Sequence, residues 1–61
     1  MDADIQGCLD RLSWSYKAFE HNGSRMTKVQ VKKVLEYGVS KGYKLVSEIS
    51  DFEVNQVLSK I

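Results

Sequence analysis

Two side chains of this 61-residue sequence are chemically reactive in principle: the thiol of Cys8, its only cysteine, and the imidazole of His21, its only histidine. A nucleophilic cysteine needs a base within hydrogen-bond reach and surroundings that lower its pKa. Cys8 falls in the middle of an apolar helical stripe, which is the setting of a small buried hydrophobe. His21 follows the expected end of the same helix, where the dipole favours a cation and the chain is usually solvated. The carboxylates are scattered over cap and surface positions. One cysteine excludes an intrachain disulfide, and no His/Cys cluster has zinc spacing. The sequence therefore predicts no catalytic residue, no metal site, no cofactor and no small-molecule substrate.

What remains is binding chemistry, of two kinds. Residues 25 to 44 carry six bases against Glu36 alone, between acidic flanks, although the whole chain is only +1. Lys28, Lys32 and Lys33 share one side of a predicted helix, with Arg25, Lys41 and Lys44 beside it. Such a face could hold phosphates, or be an ordinary solvated surface. It is a poor reader of DNA. The connection from Gly42 to Ile49 exceeds a helix-turn-helix turn, and the following helix opens with Asp51 and Glu53, which repel a phosphate backbone. The second kind is apolar. On a wheel of the first helix Trp14 points away from the core stripe, together with Ala3, Gly7 and Ala18, making a narrow strip of small residues around one large aromatic. Phe52 likewise lies opposite its own helix's stripe. Exposed aromatics of this kind form the centres of interfaces; the alternative is that Trp14 folds against the connection over 43–49.

Caps and periodicity define the elements that would carry these groups. Ile5, Cys8, Leu9, Leu12, Tyr16 and Phe19 recur at spacings of three and four, predicting a helix over 4–20 with Asp2 and Asp4 near its positive end. Asn22-Gly23 can supply its left-handed stop. Thr27 and Gln30 form a capping box, and Met26 and Val31 a hydrophobic staple, opening a helix over 28–41 whose stripe is Val31, Val34, Leu35 and Val39. Gly42 ends it, with Tyr43 folding back onto Tyr37. Ser50 and Glu53, with Ile49 and Val54, repeat the device for a helix over 51–60 bearing Val54, Val57, Leu58 and Ile61. Residues 43–49 are too few for another helix, so Leu45 and Ile49 are expected to plug the core from an extended connection.

The stretch Tyr16-Lys17-Ala18-Phe19, then Asn22-Gly23, Met26-Thr27 and Val34-Leu35, loosely resembles an EF-hand, and Ile49-Ser50-Asp51-Phe52-Glu53-Val54 resembles the entry to the next helix in such proteins. The resemblance spans roughly 16–58 and implies a helix–loop–helix shape. Its calcium loop would need a bidentate Glu at the twelfth position. Setting Gly23 at the loop glycine puts Val29 there, and setting Met26 at the loop's hydrophobic position puts Gln30 there and His21 at a ligand site. Neither register binds calcium, so the implied shape is metal-free.

The reading is therefore a single all-α domain over 1–61, a compact three-helix bundle with a short extended connection between helices two and three. Its core is Ile5, Leu9, Leu12, Tyr16, Phe19, Val31, Val34, Leu35, Val54, Val57 and Leu58. The acidic start lacks the basic and apolar segments of a signal peptide, and apolar runs never exceed two residues, so a cytoplasmic protein without a membrane span is expected. The expected function is a protein-interaction module for a protein partner or homodimer, using Trp14, Gly7, Ala18 and Phe52. The alternative is weak nucleic-acid binding through Lys28, Lys32 and Lys33.

Overall fold

The first apolar stripe does not run along one helix. In the computed structural model, which describes residues 3–21 and 23–61, helix α1 covers Ile5–Asp10 and stops at Arg11, whose φ of −117° and ψ of 34° leave the helical region. A second short helix, α2, covers Leu12–Ser15, and a 3-10 turn follows at Tyr16–Ala18. The Ser15 hydroxyl donates to the Cys8 carbonyl at 2.8 Å, satisfying the acceptor that a continuous helix would offer to the Leu12 amide. The break also keeps the segment short. An unbroken helix over 4–20 would be about 25 Å long, more than the largest extent of the Cα framework, 23 Å. Bending at Arg11 lets both Ile5 and Phe19 reach one small core.

Glu20 and His21 are also not helical. They form strand β1, paired antiparallel with strand β2, Ser24–Arg25, in the register Glu20 to Arg25 and His21 to Ser24. Gly23 has the expected positive φ, 78°, but it lies between β1 and β2 and not at a helix end. The Met26 amide donates to the Phe19 carbonyl and carries the pairing one step further. With four α-helices and this small sheet among the described residues, the molecule is mostly helical but not a three-helix bundle. The hairpin also departs from the EF-hand-like shape: Glu20–His21 pair with Ser24–Arg25 where a calcium loop would wrap an ion. Met1, Asp2 and Asn22, and with them the dipole role expected of Asp2 and the stop expected of Asn22, lie outside the described residues.

The two capping boxes are in place. Helix α3, Lys28–Ser40, opens with the Thr27 side chain accepting from the Gln30 amide and the Gln30 side chain accepting from the Thr27 amide. It closes at Gly42, φ 79°, with Tyr43 N–H bonded to the Gly38 carbonyl and Gly42 N–H to that of Val39. Those are the two bonds of a Schellman stop. Helix α4, Asp51–Ser59, opens with the same reciprocal pair between Ser50 and Glu53.

The connection is only partly extended. Val46–Glu48 make a 3-10 turn, and Leu45, expected to plug the core, is 40% exposed. Its backbone is nevertheless anchored. Ile5 N–H donates to the Lys44 carbonyl and Val46 N–H to the Ala3 carbonyl, an antiparallel bridge between Asp4 and Leu45.

The buried core is Ile5, Cys8, Phe19, Met26, Val31, Val34, Leu35 and Ile49. Leu9, Leu12, Tyr16, Val54, Val57 and Leu58, expected within it, are half-buried and pack around it. Val39 is exposed. The inward position at that turn belongs to Gly38, because a Cβ there would sit 2.8 Å from Ile5 Cδ1 and 2.9 Å from Ile49 Cδ1.

Candidate functional site

Trp14 is the most exposed large hydrophobic residue described, at 78%. It lies in α2, whose four residues include none that is buried. The half-buried neighbours Leu12 and Tyr16 pack against the core, and Trp14, between them in sequence, is turned out. Phe52, in the first turn of α4, is 69% exposed.

The strip of small residues expected beside Trp14 is not carried by a single helix. Ala3 packs against the core. Gly7 belongs to α1 and lies close to the Asp4 side chain, whose Oδ2 would be 3.3 Å from an added Cβ and which accepts the Gly7 amide at 2.9 Å. Ala18 is exposed in the 3-10 turn. The break at Arg11 separates Gly7 from Trp14 and Ala18, and a wheel drawn through one continuous helix could not anticipate that.

Lys28, Lys32 and Lys33 are exposed on α3. Residues four apart stack on one helical face, so Lys28 and Lys32 line up along α3 with Lys33 beside them. Arg25, exposed in β2, stands just before the start of that helix.

Two open grooves flank α4. One, of about 540 Å³, has Phe19, Met26, Val34, Ile49 and Val54 in its walls and Glu20, His21, Ser47 and Asp51 among its polar lining. The other, of about 400 Å³, lies between Lys33, Glu36, Tyr37 and Ser40 of α3 and Gln56, Val57, Lys60 and Ile61.

Between α3 and α4 lies a cluster that no linear motif announces. Glu53 Oε2 accepts from both the Tyr37 and Tyr43 hydroxyls, at 2.8 Å each, while Oε1 accepts from the Ser50 amide and hydroxyl at 3.0 Å. Four donors on one carboxylate favour its charged form. The Ser50 amide, then the two phenols, hold Glu53 down at about 2. The same bond to Glu53 pushes Tyr37 up to about 12 and raises Tyr43. Each part was visible separately in the sequence, the capping Glu and the Tyr43 fold-back, but their convergence depends on how α4 lies on α3. A second cross-link, His21 Nε2 to Asn55 Oδ1 at 2.6 Å, ties the hairpin to α4.

The thiol of Cys8 is buried, as its place in the stripe predicts. Burial, and then the nearby Asp4 charge, push its pKa up, away from thiolate reactivity. Among the described residues no group of three His, Cys, Asp or Glu side chains is placed to hold a metal ion, and no helix is long and apolar enough to cross a membrane. In comparison with known proteins, the chain matches no family model, no curated protein and no solved structure.

Proposed function

We propose that the chain is a small non-catalytic protein-interaction module, working in the cytoplasm, whose contact surface is centred on Trp14. The exposure of Trp14 carries this reading. A single indole left 78% exposed on a short helix is a large apolar area that only association would remove from water. Phe52 is a second exposed aromatic of the same kind on α4. A reducing compartment suits a chain whose one cysteine is a free, buried thiol.

A second copy of the chain is the partner to test first. Sedimentation equilibrium over a concentration series should show reversible self-association. Trp14→Ala should weaken it by about 2 kcal/mol, roughly thirtyfold, with the helical circular dichroism unchanged. A wild-type chain that stays monomeric into the millimolar range would remove self-association from the proposal.

The exposure of Lys28, Lys32 and Lys33, with Arg25 leading into the same helix, favours a second reading, weak nucleic-acid binding. Contacts of that kind weaken steeply as salt rises, whereas an aromatic-centred interface responds little. Retention on nucleic acid at low salt that disappears in Lys28→Glu/Lys32→Glu would support it. No retention even at low salt would dispose of it.

A further inference from the structure

We infer that α4 is a releasable strap, which undocks as a unit at Ser50 from a core to which it contributes no buried side chain. Every side chain of the buried core lies between Ile5 and Ile49, and α4 contributes none. Its apolar attachment is three half-buried residues, Val54, Val57 and Leu58, resting on the outside of that core. The rest of its attachment is polar: the Tyr37 and Tyr43 hydroxyls on Glu53, and His21 on Asn55.

The grooves on either side of α4 point the same way. Val34 lines one and Tyr37 lines the other, both on α3, with Val54 and Val57 of α4 as the opposite walls. Lifting α4 joins the two grooves into one trough along α3. The hinge is well placed, because Ile49 is buried and anchored while Ser50, the next residue, is exposed. The capping box between Ser50 and Glu53 is internal to the α4 segment, so the strap keeps its start when it leaves. Elements held by few buried apolar contacts open below the global unfolding free energy.

Native-state hydrogen exchange on the intact chain tests the strap. The α4 amides should exchange together, at one common opening, at least tenfold faster than those of Val34 and Leu35. In Tyr37→Phe/Tyr43→Phe the α4 opening should become about tenfold more populated, with Val34 and Leu35 protected as before. Three results would overturn the inference: α4 and α3 exchanging through one shared opening, protection in α4 that merely grades away toward Ser59, or a double variant that loosens both helices equally.

Discussion

Glu53 accepts more side-chain hydrogen bonds than any other described residue, and its effect on stability is readable in pH. The carboxyl group titrates at about 2 in place of 4.5, so the folded state is favoured by its charged form. That contribution is whole above pH 4.5 and is lost as the pH falls toward 2. Tyr37 works at the other end. Its pKa rises from 10.0 to about 12, so the neutral phenol's contribution is whole below pH 10 and is lost as the pH rises toward 12. Thermal melts across both ranges should show these two declines, and Glu53→Gln should flatten the acid one between pH 4.5 and 2. An unchanged acid limb in that variant would mean the carboxylate contributes nothing specific. Gly38 is another residue whose type is set by its surroundings. A methyl group there meets Ile5 Cδ1 and Ile49 Cδ1 below 3.0 Å, and both isoleucines are buried. Overpacking costs about 1–3 kcal/mol, against a helix-propensity gain of about 1 kcal/mol for alanine. Gly38→Ala should therefore lose about 1 kcal/mol in urea unfolding, and a stabilised variant would show that the isoleucines repack freely.

At the level of the elements, helix starts are the best-determined features. Thr27→Ala and Ser50→Ala should each cost about 1 kcal/mol, because each removes the acceptor for an N3 amide, 3.2 Å away in both cases. Unchanged denaturant midpoints would contradict the caps. These starts, and the Schellman stop at Gly42, were legible because their signals are local: a cap, its partner three residues on, and a glycine where φ must be positive. The first 25 residues were less legible. Spacings of three and four from Ile5 to Phe19 satisfy one helical wheel, but nothing in that pattern reveals the break at Arg11. The hairpin did have a signal. Asn22-Gly23 is a favoured two-residue hairpin dipeptide, yet with Glu20, His21, Ser24 and Arg25 around it there is no alternation of apolar residues, and it reads equally well as a helix stop. At the candidate sites, the outward placement of Trp14 and Phe52 and the lysine face were legible, whereas the grouping of Gly7 with Trp14 was not.

The whole molecule is small enough for its surface to dominate its behaviour. A chain of this length buries only about 60% of its unfolded surface, and here eight buried apolar side chains form the core. Trp14, outside that core, is the only tryptophan, so its fluorescence reports on association without labels. In dilute solution its emission should be red-shifted and open to acrylamide, and it should shift blue as concentration rises. A blue, quencher-resistant emission from a chain shown to be monomeric would contradict the exposed indole. The bridge between Asp4 and Leu45 matters for the time course of folding. It joins backbone far apart along the chain, so the entropy of closing that long loop must be met before its two hydrogen bonds return anything. Helix α3, with its own caps and its contacts to both sides, offers a nearer starting point. Folding that begins around α3 and fastens the Asp4–Leu45 bridge late would leave the bridge little influence on the folding rate and a large one on the unfolding rate.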